Sequence, residues 1–235
     1  MPYGTWIICE IESPKGYVLS EEEIAVTIGK VDEVVEIELV NYFIKGNIAL
    51  TKVDEDYPDN KLSGAVFEVY SDTNGDGKLD KDDTLLGEMK ELDGGVYQMS
   101  ELRYGKYLVK ESKAPTGFVL DEDVYAVSIE ENGKTYTVEN KAGVGFINAA
   151  QKGSLKIVKT SSDGKVEDFS FRVTGVDYDK TFKTDKNGEI VIEGLRIGDY
   201  TVSEVNDKAS AGYILPADKQ GNGKGGRYGY RADAQ

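Results

Sequence analysis

Three polar side chains in the middle of this sequence lie on the apolar face of predicted strands. Lys52, Glu111 and Asn148 each end a short strand-like run, and each is in phase with apolar residues two and four positions before it. Because side chains alternate along a strand, all three should point into the core. A buried amine, carboxyl or amide is expensive when it stands alone. We therefore interpret the three together, as the parts of a spontaneous isopeptide bond between Lys52 and Asn148 that Glu111 assists.

The chemistry of such a bond requires a neutral amine, an electrophilic carbonyl and a proton shuttle. An apolar core disfavours the charged forms of both lysine and glutamate. Neutral Lys52 would attack the Asn148 carboxamide. Protonated Glu111 would hydrogen-bond the amide carbonyl and relay protons to the departing ammonia. The alternative interpretation is a buried Lys52–Glu111 ion pair, with Asn148 as a hydrogen-bonded neighbour.

Partial copies of this set occur on both sides of it. Glu10 and Asn41 come before it, and Lys159 and Glu204 come after it. Each of the three glutamates lies four residues after an aromatic residue, and each of the two lysines lies six residues after a glycine. Repetition at roughly a hundred residues indicates tandem domains rather than a solenoid. Only the middle repeat carries all three residue types.

The repeats divide the chain into modules. Residues 1–45 are interpreted as the C-terminal half of one module, 46–152 as a complete module, and 153–219 as the N-terminal part of a third. The Gly-rich segment 220–235 is predicted to be a disordered tail. Short strands between Gly, Asn and Asp turns, without a long amphipathic helix pattern, favour an all-β fold of tandem antiparallel β-sandwiches.

The strand pattern is regular enough to place individual elements. The Asn132-Gly133 pair predicts a tight hairpin that would bring Tyr125 and Tyr136 across from each other. We predict strands at 5–11, 23–29, 33–41, 47–53, 65–70, 84–89, 95–100, 106–112, 123–131, 134–140, 144–149 and 189–192.

The sequence resembles a known family at several separated motifs. The segment YLVKESKAPTGF, from Tyr107 to Phe118, resembles the E-box of Gram-positive pilins and surface adhesins. With the similar motifs at Ile48–Asp54, Leu62–Phe67 and Leu102–Tyr107, it resembles a Cna protein B-type domain, also called a prealbumin-like or SpaA-type repeat, over residues 1–219. The resemblance implies an Ig-like β-sandwich and an extracellular, cell-wall-attached location in a Gram-positive bacterium. It also implies a role in stalks or pili, beside neighbouring modules of the same surface protein, and an isopeptide triad at Lys52, Glu111 and Asn148.

A second motif, between residues 72 and 83, matches the spacing of a calcium-binding EF-hand loop. Because the last position is Asp rather than Glu, its reach toward a metal is shorter. The alternative is an acidic, solvated hairpin loop. The Ca²⁺ ligands would be oxygens of Asp72, Asn74, Asp76, the Lys78 carbonyl, Asp80 and Asp83.

Composition excludes several classes of function. A formal charge of −15 disfavours nucleic acid and anionic membranes as partners. The chain has no histidine, one cysteine and no G-x-S-x-G motif, so we do not expect an enzyme beyond a single self-modification. No run is long and apolar enough to span a bilayer. We predict a structural stalk or pilin-type module; the alternative is an adhesin module that recognises a host extracellular matrix protein or glycan through exposed aromatic residues.

Overall fold

The computed structural model describes residues 4–175, 177–213 and 219–222, the last of these by their backbone alone. The regular structure in these ranges consists of β-strands, which confirms the predicted all-β class. The described residues contain no helix with the length and apolar character needed to cross a membrane. The strands are β1 Gly4–Cys9, β2 Glu23–Ile28, β3 Lys45–Asp54, β4 Val66–Ser71, β5 Thr84–Glu88, β6 Lys90–Glu91, β7 Val96–Arg103, β8 Gly105–Lys113, β9 Val124–Ile129, β10 Thr135–Thr137, β11 Phe146–Asn148, β12 Lys152–Val158, β13 Ser170–Gly175, β14 Tyr178–Lys183, β15 Glu189–Arg196, β16 Asp199–Glu204 and β17 Lys219–Asn222.

The chain divides into two compact units, and the first contains most of the predicted middle module. This unit comprises Met1–Thr116 and Leu120–Asn148. One of its sheets has the order β5-β4-β8-β9; the other has the order β10-β3-β7-β6, and β11 also pairs with β3. Side chains from both sheets form one buried cluster, as in a β-sandwich. Its members include Ile48, Leu50, Phe67, Val69, Tyr97, Tyr107, Val109, Ile129 and Phe146.

The first part of this unit forms a smaller sheet than the sequence predicts. Strands β1 and β2 pair with each other in antiparallel register. The strand predicted at 33–41 is wrong, because the structure has no strand between Ile28 and Lys45. A strand requires a neighbour for its backbone groups, and the described residues place none beside this segment. Its apolar side chains are consequently exposed, as at Val34, which is 91% exposed.

The turn at Asn132-Gly133 connects the two sheets instead of closing a hairpin. Strand β9 pairs with β8, whereas β10 pairs in parallel with β3 in the opposite sheet. The predicted hairpin is therefore wrong, because closing the edges of both sheets outweighs the local preference of the turn. The two tyrosines do not pair: the Tyr125 ring lies 5.1 Å from that of Phe146, and the Tyr136 hydroxyl accepts hydrogen bonds from backbone N–H groups.

The second unit comprises Gly117–Val119 and the chain from Ala149 onward. It contains the pair β12-β15 and a sheet of order β14-β13-β16-β17. Strand β17 extends into the predicted tail, so the prediction of disorder is wrong for residues 220–222, and 223–235 lie outside the described residues. The core of this unit is built from Leu155, Ile157, Phe169, Phe171, Val173, Ile190, Ile192, Leu195, Tyr200 and Val202.

Candidate functional site

The three middle residues of the predicted triad meet inside the sandwich of the first unit. Lys52 comes from β3, Glu111 from β8 and Asn148 from β11. Strands β3 and β11 run parallel, with Phe146 opposite Lys52, so Asn148 lies just beyond the lysine on the neighbouring strand. Lys52 and Glu111 are each 0% exposed and Asn148 is 3% exposed. The alternation of each strand thus delivers one inward-facing residue to the same point of the core.

The hydrogen bonds at this point link all three side chains. The Lys52 ammonium donates to Asn148 Oδ1. Lys52 Nζ also lies 3.2 Å from Glu111 Oε1. The Asn148 amide nitrogen donates to both oxygens of Glu111, at 3.0 Å and 2.9 Å. No buried side-chain nitrogen or oxygen among the described residues lacks a partner, so the cluster satisfies its own polar groups without water.

The surroundings of Lys52 favour its neutral form. Burial away from water lowers the pKa of Lys52 to about 8, although the nearby carboxylates of Glu111 and Asp121 act in the opposite direction. The aromatic faces of Phe146 and Phe67 lie 4.5 Å and 5.8 Å from the nitrogen. A lysine with a pKa near 8 has an appreciable fraction of free amine at mildly basic pH, which is the form that acts as a nucleophile.

The orientation of the Asn148 amide differs from the sequence-based expectation. We expected Glu111 to hydrogen-bond the amide carbonyl, but its oxygens face the amide nitrogen, and the carbonyl oxygen faces Lys52. This orientation pairs each donor with an acceptor, because the amide nitrogen of Asn148 can only donate a hydrogen bond and its amide oxygen can only accept one. This arrangement places the carboxyl group against the nitrogen that would leave as ammonia.

Sequence reasoning missed a polar network around the triad. The backbone N–H of Asp121 donates to Glu111 Oε2 at 2.8 Å. The Asp121 carboxylate accepts hydrogen bonds from Tyr125 and Asn140 at 2.8 Å and 2.7 Å. Asn140 also bonds the main chain of Ile147 in both directions, at 2.6 Å and 2.9 Å. One signal was available, since Asp121 lies ten residues after its glutamate, as Ser20 lies ten after Glu10; nothing in the sequence marks Asn140.

The partial copies form smaller clusters of the same kind. In the first unit, Asn41 Nδ2 donates to Glu10 Oε1 at 2.7 Å, and the Ser20 N–H donates to Glu10 Oε2 at 2.8 Å. In the second unit, Lys159 Nζ bonds both oxygens of Glu204 at 2.8 Å each. Among the described residues, the first cluster contains no lysine and the second contains no asparagine.

The calcium-type loop connects β4 to β5, and its carboxylates turn toward the backbone of the loop. The described residues contain no group of three or more acidic, histidine or cysteine side chains that could hold a metal ion. The Lys106 ammonium donates to the Gly75 carbonyl at 2.7 Å. A bound Ca²⁺ would require several side chains to turn inward, and the site stays a prediction. The observed acceptors are Asp72 for Gly75 and Gly77, Asn74 for Asp76, Asp76 for Lys78, Asp80 for Asp82 and Asn74, and Asp83 for Thr73 and Asp80.

Comparison with known proteins places the chain in a family. The profile of the SpaA prealbumin-like fold domain matches residues 46–142 and 153–221. The chain therefore belongs to the SpaA family of prealbumin-like fold domains, which confirms the resemblance seen in its motifs. A search of the curated proteins finds no match.

Among solved structures, one with a high TM-score agrees with the fold. The chain is similar to the Bacillus anthracis TIE protein, with 28% identity and a TM-score of 0.73, over 94% of this chain and 39% of that one. It is also similar to a streptococcal ancillary pilin, with 19% identity and a TM-score of 0.35, over 94% and 72% of the two chains. It is similar to the shaft pilin SpaA from Lactobacillus rhamnosus GG as well, with 15% identity and a TM-score of 0.34, over 75% of this chain and 92% of that one. The chain spans well under half the length of the TIE protein.

Proposed function

We propose that this chain is a structural segment of a pilin-type surface protein of a Gram-positive bacterium, and that its middle module locks itself through an isopeptide bond between Lys52 and Asn148. The family membership supports the structural role. One observation carries the bond: Glu111 Oε1 lies 3.2 Å from Lys52 Nζ and 3.0 Å from Asn148 Nδ2. A single carboxyl group therefore reaches both the attacking and the leaving nitrogen, as a proton shuttle must.

The reaction is an amide exchange that balances without any co-reactant. The lone pair of the neutral Lys52 amine attacks Cγ of Asn148, and the bond from Cγ to Nδ2 breaks. Glu111 takes a proton from the lysine nitrogen and gives one to the asparagine nitrogen, which leaves as ammonia. Folding brings the groups together, and such proximity contributes on the order of 7–11 kcal/mol to lowering the barrier. The product is a permanent amide, so the reaction occurs once per chain.

The consequence of the bond is mechanical and thermodynamic. It joins β3 to β11, which begin and end the middle module and lie side by side in parallel. Tension applied across the module would then be borne by a covalent bond rather than by backbone hydrogen bonds. By analogy with a disulfide that closes a loop of this length, the unfolded chain loses entropy equivalent to roughly 4–5 kcal/mol. The given sequence has a single cysteine, so no disulfide within it can do this.

Intact mass spectrometry tests the proposal directly. The folded chain should weigh about 17 Da less than its sequence, the mass of one ammonia. Digestion should give a branched peptide that contains both Lys52 and Asn148, and Glu111→Gln should restore the full mass. A wild-type chain with full mass would instead establish the alternative, a buried Lys52–Glu111 ion pair with a hydrogen-bonded amide.

The partners we propose are neighbouring modules of the same surface protein. The alternative function is recognition of a host protein or glycan by exposed aromatic residues, and five of the tyrosines give it no support. Tyr97, Tyr107 and Tyr200 are buried, and Tyr125 and Tyr136 pack against the core of the first unit. We also propose a Ca²⁺ ion in the loop at residues 72–83, on the strength of its ligand spacing.

A further inference from the structure

The last strand of the middle module is held on its outer side by a side chain. Strand β11 contains only Phe146–Asn148, and one of its edges pairs with β3. At its other edge, Asn140 Oδ1 accepts the Ile147 N–H at 2.6 Å, and Asn140 Nδ2 donates to the Ile147 carbonyl at 2.9 Å. The amide of Asn140 thus bonds Ile147 as a neighbouring strand would, one residue before Asn148.

Asp121 connects this support to the carboxyl group of the triad. Its carboxylate accepts a hydrogen bond from Asn140 at 2.7 Å, and its backbone N–H donates to Glu111 Oε2 at 2.8 Å. Burial alone would raise the pKa of Asp121, but hydrogen bonds from Asn140, Asp123 and Tyr125 hold that pKa below its ordinary value. The side chain is therefore an ionised acceptor at neutral pH.

We propose that Asp121 and Asn140 are positioning residues for the cross-link, which together fix the Glu111 carboxyl and the Asn148 amide in reactive register. This inference rests on the proposed function. Reactive groups must be held within a fraction of an ångström, and a displacement of about 1 Å is enough to slow a reaction by roughly a hundredfold. The two residues bridge the strands that carry the shuttle and the electrophile. Asp121 contacts the shuttle only through its backbone N–H, and its side chain bonds Asn140 rather than the triad.

The first partial cluster shows which part of this network belongs to the middle site. There the Ser20 N–H bonds Glu10 as the Asp121 N–H bonds Glu111. The Ser20 hydroxyl also accepts the Glu22 N–H at 3.3 Å, as the Asp121 carboxylate accepts that of Asp123. The backbone contact is thus common to both clusters. The complete cluster has an additional link, which runs from the Asp121 carboxylate through Asn140 to strand β11.

The experiment measures how fast the bond forms. The whole chain is recovered unfolded, its full mass is checked at time zero, and the loss of about 17 Da is followed after dilution into native buffer. Asp121→Ala and Asn140→Ala should slow this loss by about tenfold to a hundredfold. Tyr125→Phe removes one hydrogen bond to Asp121 and keeps the ring, so it should slow the loss less. Circular dichroism verifies that each variant folds.

A conservative variant separates positioning from a general loss of structure. Asp121→Asn keeps an acceptor for Asn140 but removes the negative charge that, with Glu111, raises the pKa of Lys52 against the effect of burial. The rate should recover relative to Asp121→Ala, and its dependence on pH should move to lower pH. Glu122→Gln removes the same charge from the exposed neighbouring residue and should leave both rate and pH dependence unchanged.

The outcomes distinguish the two proposals. If folded Asp121→Ala and Asn140→Ala bond at the wild-type rate, the positioning role is wrong and the isopeptide bond stands. If the wild-type chain never loses the mass of ammonia, the proposed function is wrong, and this inference is wrong with it.

Discussion

The middle module and its neighbours build the same cluster with different numbers of partners, and the difference changes what the glutamate does. In the second unit, both oxygens of Glu204 bond the Lys159 ammonium, and the two side chains are 2% and 12% exposed. In the middle module, Glu111 divides its oxygens between an amine and an amide. The amide thus competes for the carboxylate that would otherwise stabilise the charged lysine.

The cluster without a lysine completes the comparison. Hydrogen bonds from the Ser20 N–H, the larger effect, and from the Asn41 amide lower the pKa of Glu10. The Glu10 carboxylate is therefore stable as an anion. A carboxylate with an amide is therefore a satisfied acceptor, and a carboxylate with a lysine is a satisfied ion pair. In the complete cluster, burial lowers the pKa of Lys52 to about 8 even though Glu111 acts in the opposite direction. From this comparison we expect reactivity only where the third partner and full burial occur together.

The largest expected effect comes from removing the amide in the complete cluster. Asn148→Ala prevents the bond and leaves the Lys52–Glu111 pair in place, so the free energy of unfolding should fall by about 4–5 kcal/mol. For a unit of this size we expect the midpoint of thermal unfolding to fall by roughly 10–20 °C. Calorimetry measures both quantities.

Asn41→Ala is the matched control, because it removes an asparagine that bonds a glutamate in the same way. Its melting temperature should change much less, since the bond it loses is only partly buried and no covalent link is lost. Equal losses in the two variants would show that the middle asparagine contributes only hydrogen bonds.

Disrupting the ion pair of the second unit should give the next largest loss of stability. Glu204→Gln leaves the Lys159 ammonium without its counter-charge in a nearly dry site, which should destabilise this unit by about 3 kcal/mol. This loss of stability can be measured by unfolding the chain in denaturant and monitoring the release of tryptic peptides from residues 153–213. The double variant Lys159→Met with Glu204→Leu should recover most of that stability. Relative to its own sequence, no variant of this pair should show a mass change other than the loss of ammonia from the middle module. Any other mass change would mean that the partial cluster is reactive after all.

Local patterns predicted which side chains point inward, and failed where strand partners are distant in sequence. Alternation along β3 and β8 places Lys52 and Glu111 inside, and both are buried. The segment at 33–41 has the same alternation but no neighbouring strand, so its pattern did not produce a strand. The Asn132-Gly133 turn has the local sequence of a hairpin, but pairing with β8 and β3 takes its flanking strands into different sheets.

The residues around the triad were harder to predict than the triad itself. Lys52, Glu111 and Asn148 share a strand phase and a repeated spacing, so they stand out in the sequence. Asp121 and Asn140 lie in loops, where no periodicity constrains the direction of a side chain. Their proposed roles depend on the parallel register of β3 and β11, which brings together residues far apart in the chain. Only the folded structure gives that register.

Calcium binding should increase stability by a smaller amount, and the increase should be confined to the first unit. The loop at residues 72–83 lies in the first unit, between β4 and β5, whereas only residues 176 and 177 separate β13 from β14 in the second unit. If the loop binds Ca²⁺, free calcium at a hundred times the dissociation constant stabilises the first unit by about 2.7 kcal/mol. Thermal unfolding with and without millimolar calcium measures this. Asp76→Ala should abolish the increase, and Asp59→Ala, at an exposed site outside the loop, should keep it; no change in the wild type would contradict the site.

The pH dependence of bond formation gives the smallest effect and the sharpest test of the comparison. The reaction needs the neutral amine, and the pKa of Lys52 is lowered to about 8. The neutral fraction therefore rises as pH rises through that value, and the rate should increase about tenfold between pH 7 and pH 9 before it levels off. Following the mass of refolding chain at several pH values measures the profile. If the pKa of Lys52 were unperturbed, the rate of bond formation would keep rising beyond pH 10. That outcome would show that burial does not activate Lys52. The complete cluster would then differ from the ion pair of the second unit only in geometry.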